Sequence, residues 1–329
     1  MTRKIRTRTS LGCWLVVFTV TTLVAGNASA QEAYPARPVH VVVGATAGAL
    51  DTMTRQLFGA VAKELAQSVV VENKPGAGQA VGYALVTKSK PDGYTLGVTT
   101  TSLMTNVPHM QKTNFDVLND SVDIMAFCRY AQVLAVGAQT PWKTFEELLV
   151  WAKANPGKFR YAVSGPGVAM HIAMEQIAMQ EGIQWIAIPF RGGGSDAVAA
   201  ALGGHTEGVA QSPVETGEHI KAGKLRPLLV LTDSRVADFP EVPTILEKGY
   251  KFTATTYMSV YAPKGLPEPI RDKLEGALKR AMSDPAYVAA ARTFQLEPVF
   301  MSGRDYSNYW RPKFDEMGKV VRALGLEAK

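Results

Sequence analysis

The sequence predicts an α/β protein with largely parallel sheets, divided into two domains. Three observations carry this. Apolar, β-branched runs such as residues 39–43, VHVVV, alternate with amphipathic stretches along the chain. The runs show no polar alternation, as expected of strands covered on both faces. Setting aside residues 1–30 leaves 299, more than one hydrophobic core commonly serves.

Residues 1–30 read as a cleavable leader. Arg3, Lys4, Arg6 and Arg8 form a charged start, and residues 11–25 a mostly apolar core. Ala28, Ser29 and Ala30 supply the small residues before a cut ahead of Gln31. The alternative is a retained N-terminal anchor, which so short and well terminated a run disfavours. Cys13 precedes the apolar core instead of following it, so a lipid anchor is rejected. Without the leader's four basic residues, 35 basic against 29 acidic becomes 31 against 29. The basic balance therefore belongs to the targeting segment and gives nucleic-acid binding no support. Cys128 is the one cysteine left, which excludes an internal disulfide, and five scattered histidines offer no zinc spacing. No cofactor is expected.

The elements follow in order. The strand at 39–43 breaks at Gly44 into a loop of small residues, Ala45, Thr46, Ala47, Gly48 and Ala49. Asp51 or Thr52 is expected to cap the next helix, which carries Met53, Leu57, Val61 and Leu65 on one face. Strand, loop and helix start together present backbone N–H groups at the positive end of a helix dipole, worth roughly 0.3–1 kcal/mol to an anion. The loop is a candidate cradle for a carboxylate or phosphate, and the same pattern also makes a plain βα turn. A second strand is predicted at 68–72, followed by the turn NKPGAG at 73–78 and a helix from about Gln79. The turn KPDG at 90–93 feeds a strand at 94–98 that ends in the hydroxyls of Thr99, Thr100, Thr101 and Ser102. Open α/β sheets bind ligands at such strand ends, although threonine is also common in strands.

Tyr34-Pro35 with Arg37-Pro38, VENKPGAG at 71–78, PDGYTL at 91–96, GKLRPL at 223–228, PEVPT at 240–244 and YAPKGLP at 261–267 stand in the order found in one family. Over essentially its whole length after the leader, the chain resembles the solute receptors of tripartite tricarboxylate transporters. These are the TctC or Bug type of periplasmic binding protein. The resemblance implies a two-lobed, type II-like fold, each lobe a mostly parallel sheet flanked by helices, with the ligand cleft between. Lobe 1 would span 31–132 and 255–329, and lobe 2 would span 133–254. It further implies a monomer in the periplasm, a small organic carboxylate as ligand, and the membrane subunits of a tripartite tricarboxylate-type transporter as partner. A ligand sensor feeding a signalling receptor is the other fate open to such a protein.

In the second lobe, a strand at 133–136 and a helix at 144–154 lead to a strand at 159–163 and the loop SGPGVAMH at 164–171. In the family this loop faces the first across the cleft, which implies Ser164, Gly165, Val168 and His171 near the ligand. Taken bare, a histidine in a first helical turn is also an ordinary packed or surface residue. A third strand–glycine unit, IAIPFRGGG at 186–194, offers Arg191, Gly192 and Gly193 to a second anionic group, or else makes a surface turn. No Lys-Ser/Thr pair follows those glycines, so a Walker loop is excluded. Gln211, ahead of a helix starting at Ser212-Pro213, is a fourth contributor, with Thr100 and Ser102 from the first lobe. A strand at 255–262, a helix at 267–282 broken by Asp284-Pro285, and a closing helix at 303–324 complete the chain. Two crossings between lobes form a hinge, so closure on a ligand is the expected motion.

An enzymatic reading would pair Ser164 and His171 with Asp51 as a hydrolytic triad, but no nucleophile elbow surrounds Ser164. No dinucleotide fingerprint occurs at 44–50 either, and no catalysis is expected. The first loop departs from the family's Pro-x-x-Pro-Gly-Gly, reading GATAGAL at 44–50. With Val168 and Met170 this makes the mouth apolar. It predicts a dicarboxylate with an apolar or aromatic body, such as a phthalate, a terephthalate or an aliphatic diacid. Asp51 would repel an anion it faced, so it is expected to cap its helix or orient a water.

Overall fold

Residues 39–43 pair on both sides, which places the first loop inside a sheet, one strand from its edge. The computed structural model describes residues 1–2, 34–190 and 193–327. The body of the expected leader, Arg191 and Gly192 lie outside the described residues. The first elements are β1 (Val39–Val43), α1 (Ala49–Leu65), β2 (Val69–Asn73), α2 (Ala80–Thr87), β3 (Thr95–Thr100), the short α3 (Thr101–Thr105) and α4 (Val107–Met110), and β4 (Ser121–Tyr130). There follow β5 (Val133–Gly137), α5 (Phe145–Ala154), β6 (Arg160–Val163), α6 (Ala169–Glu181), β7 (Ile186–Pro189), α7 (Gly194–Leu202), β8 (Gly208–Gln211), α8 (Pro213–Lys221) and β9 (Leu225–Val230). The chain ends with β10 (Thr256–Pro263), α9 (Glu268–Ala281), α10 (Pro285–Thr293), β11 (Glu297–Ser302) and α11 (Gly303–Ala323).

The strands make two sheets with helices on their faces, a two-lobed α/β fold. One has the order β11-β4-β10-β3-β1-β2 and the other β7-β6-β8-β5-β9. Each is mixed rather than mostly parallel. Parallel pairing is confined to β2-β1-β3 and to β7-β6-β8, the strands that carry the loops. β10 lies antiparallel between β3 and β4, because it enters the first sheet directly from the second with no crossover helix to reverse it. β1 is buried except for His40, which pairs loosely with Glu72 at the surface.

Met53, Leu57 and Val61 of α1 are fully buried against Val41 and Val43 of β1, each such side chain worth about 1.5–3 kcal/mol. The second core gathers Trp142, Phe145, Phe159, Tyr161 and Trp185 beneath α5 and α6. One local expectation is corrected and another extended. The N-cap of α1 is Gly48, with no side-chain cap, and Asp51 and Thr52 lie inside the first turn. Asp284-Pro285 ends α9 but also starts α10, where the Asp284 side chain accepts from the Ala286 N–H at 2.9 Å. β11 then adds an edge strand that has little apolar patterning to announce it.

Gly303 starts α11 against β4, where a Cβ would sit 2.2 Å from the Asp123 carbonyl oxygen. Backbone on both sides leaves no room to yield, so Gly303→Ala should cost about 1–3 kcal/mol. Gly48 has extended backbone, φ 161°, and nothing within 4 Å of its would-be Cβ, so Gly48→Ala should stay within about 0.5 kcal/mol of wild type. Chemical denaturation of the two variants side by side checks both; equal losses would contradict this account.

Candidate functional site

The first loop is held from below. Gly44 must lack a side chain, since a Cβ would lie 2.7 Å from Gln79 Cβ. Asn73 Nδ2 donates to the Ala45 carbonyl and to Asp51 Oδ1, both at 2.9 Å. Arg55 Nε reaches both Asp51 oxygens at 3.0 and 3.1 Å, and another Arg55 nitrogen donates to Asn73 Oδ1 at 2.8 Å. Asp51 is thus buried and engaged by a cation and an amide; it braces the loop. Thr46, Ala47 and Gly48 stand exposed at the rim, while Ala45 and Ala49 are half-buried.

Gln79 organises the end of β3. It sits in the left-handed region, φ 80°, and its Oε1 accepts from the Thr99 hydroxyl at 2.9 Å and the Thr100 N–H at 3.1 Å. Its Nε2 donates to Thr100 Oγ1 at 2.9 Å. Ser102, two residues on, is half-buried.

The second loop is pinned on both sides of one peptide. Gly167 takes φ +71°, and its N–H donates to His171 Nδ1 at 2.9 Å. Its carbonyl accepts from Asn106 Nδ2 of the first lobe at 3.2 Å. Met110, also of the first lobe, fills the space a Gly167 Cβ would need. His171 is buried, and that burial lowers its pKa, so the neutral ring with its proton on Nε2 is the form that holds the loop. Ser164 and Gly165 are half-buried at the start of the same loop. In the third unit Gly193 caps α7, and Gln211 packs under Gly194, where a Cβ would meet its Nε2 at 2.3 Å.

A cavity of about 220 Å³ lies where the lobes meet. Ala45, Thr100, Ser102 and Val168, all singled out from the sequence, line it together. Leu50, Gln79, Tyr130, Gln132, Ala169, Met170 and Thr256 complete its wall. Thr46, Ala47, Gly48, Ala49, Asp51, Ser164, Gly165, His171, Gly193 and Gln211 do not form that wall. No lining residue among those described is charged. Burial pushes the Tyr130 phenol well above its ordinary pKa, so it stays a neutral hydroxyl. Gln132 Oε1 is buried with no hydrogen-bond partner among the described residues. Gln79, Tyr130, Gln132 and Thr256 carry no sequence signal as a group. They come from a turn and from the two crossings, and only the fold assembles them.

Among helices of nine or more residues, side chains cap α5, α8, α10 and α11. Those following the three loops, α1, α6 and α7, start with no side-chain cap, as does α9. First-turn N–H groups of α1 and α6 are therefore left for another acceptor, which suits an anion. A triad is not assembled, because Asp51 is taken by Arg55 and Asn73, and His171 Nδ1 by Gly167. The described residues contain no group of three metal-ligating side chains and no helix long and apolar enough to cross a membrane.

The model of the tripartite tricarboxylate transporter family receptor matches residues 53–326. The UPF0065 protein in the gbd 5′ region of Cupriavidus necator is 37% identical over 306 residues, 92% of this chain and 93% of the relative. A TctC solute-binding protein from Polaromonas superposes with a TM-score of 0.80 at 29% identity, covering 88% of this chain and 99% of that one. The periplasmic binding protein BugD gives a TM-score of 0.73 at 26% identity, covering 90% and 100%.

The His171–Gly167 bond sets a pH dependence. The native pKa of His171 lies below the roughly 6.5 of an unfolded chain, so between the two values the unfolded state binds more protons. Its contribution to stability is complete above that window and is lost as pH falls through it. His171→Asn, which can accept from Gly167 without titrating, should flatten this part of the melting temperature as pH falls below about 7. An unchanged slope would show that another group is responsible.

Proposed function

The chain belongs to the tripartite tricarboxylate transporter receptor family, and on that premise we propose that it captures a small organic carboxylate in the cavity between its lobes. The family is one of solute-binding receptors. The observation that carries the reading is the 220 Å³ cavity, with no charged residue among its described lining, where the first loop meets the open start of α6. One carboxylate would accept from first-turn N–H groups of α1 and α6, with water bridging the gaps. Thr100, already bonded to Gln79, fixes the wall behind it. Leu50, Val168, Ala169 and Met170 give the rest of the ligand an apolar surround. An apolar cavity of about 150 Å³ takes benzene, so this one suits an aromatic or short aliphatic body with its acid group. The lobes, divided at about residues 132 and 255, would close on the ligand, and the receptor would act as a monomer in the periplasm. It would deliver the ligand to the membrane subunits of a tripartite tricarboxylate-type transporter.

A thermal-shift panel of citrate, C4–C6 diacids, phthalate isomers, benzoate, aspartate, glutamate and phosphate tests this. A carboxylate at about 100 times its dissociation constant should stabilise by about 2.7 kcal/mol. A response to phosphate alone would remove the carboxylate assignment. Ala45→Asp should then abolish the carboxylate response through like-charge repulsion, costing about a hundredfold or more, whereas the isosteric Ala45→Asn keeps it within about tenfold. Equal losses would mean that Ala45 acts by bulk and not through charge.

A further inference from the structure

Ser102, Ala169 and Thr256 also line a second, smaller cavity of about 40 Å³, so the two spaces share a wall. At about 10–15 Å³ per water, this holds roughly three waters or the three heavy atoms of a carboxylate. Its other walls include Gln176 of α6 and Lys313 of α11, one from each lobe. Lys313 is half-buried, with its ammonium 3.6 Å from the centre of the Tyr309 ring. Among the described residues no carboxylate lies within ion-pair distance of it and no oxygen accepts from it. Burial holds its pKa below the ordinary lysine value, against the raising effect of Asp233 and Glu316 farther off. The Ser102 hydroxyl and the Gln176 amide are likewise without hydrogen-bond partners among the described residues. A desolvated cation facing uncommitted donors is an unfavourable arrangement when empty and a favourable one around an anion.

We propose that Lys313, Ser102 and Gln176 form a second anionic subsite, which takes the distal acid group of a ligand whose first carboxylate occupies the larger cavity. The receptor therefore selects dicarboxylates over the matching monoacids. This rests on the carboxylate reading above and adds the residues that set the charge class of the ligand.

Calorimetric titration of the purified protein with C4–C7 diacids, phthalate, and their monoacid analogues tests it. The best diacid should bind wild type about tenfold or more tightly than its monoacid. Lys313→Met should lower the diacid to the monoacid's affinity while leaving the monoacid unchanged, which also shows that the variant is folded. Lys313→Arg should restore part of the preference, and Gln176→Leu should weaken the diacid selectively. Retention of the preference in Lys313→Met, or its loss in Arg191→Ala instead, would overturn the subsite. So would equal binding of both acids by wild type, with the carboxylate reading left standing. If neither class of acid binds, the carboxylate reading itself fails, and the subsite with it.

Discussion

The first sheet is complete only when β10 has returned from the second, and the cleft depends on that insertion. β10 is buried along its whole length, bonded on one side to β3 and on the other to β4. Tyr261 of β10 lies over Gly97 of β3, where any Cβ would sit 2.1 Å from its ring, so a glycine in the strand is filled by its neighbour's aromatic. At the other end of β10, the Tyr257 N–H donates to Thr101 Oγ1 at 3.0 Å, and Thr256 lines the cavity beside Thr100 and Ser102. Hydroxyls at the end of β3 are thus set in place by chain 156 residues distant.

The two loops that meet at the cavity are held in different ways, which bears on the closure proposed for the lobes. The first is braced within its own lobe by Asp51, Arg55 and Asn73, with an ion pair at its centre. The second is held inside its lobe by His171, and it meets the other lobe through the Asn106 hydrogen bond and the packing of Met110 on Gly167. A neutral hydrogen bond contributes about 0.5–1.5 kcal/mol net. That is small beside the stabilisation a bound ligand would supply, so the tie would orient the proposed closure without enforcing it.

Much of the fold was legible because β-branched runs and glycine-rich loops punctuate the chain, and the closing helix expected at 303–324 is α11, Gly303–Ala323. What sequence could not show is which partner a polar residue takes. Asp51 has the composition of a cap, yet Arg55 one turn on and Asn73 on β2 claim both its oxygens before the helix start can. The parallel bias of the first sheet failed for a related reason, since direction there depends on where the chain re-enters. Gln79 and Gln132 belong to the cavity through contacts between segments far apart in the chain, and neither periodicity nor motif records such contacts. Arg191 and Gly192 lie outside the described residues, so the third loop is seen only from Gly193 onward.

Charges near the cavity are mostly closed on themselves. Asp51 is paired with Arg55, and Arg129 at the crossing is held by Asp233 and Glu297. Glu215 beneath the third loop accepts from the Ser212 hydroxyl at 2.7 Å, and its burial raises its pKa. What the larger cavity presents is therefore dipoles: hydroxyls, amides and helix starts. A fixed ion pair at 4 Å in a partly buried site is worth on the order of 4 kcal/mol before desolvation is counted, and it acts over distance. A helix start acts only within about its first turn. An anion held between α1 and α6 would thus lose half of its surroundings as soon as the lobes part, so that in the proposed receptor opening and release would be one event.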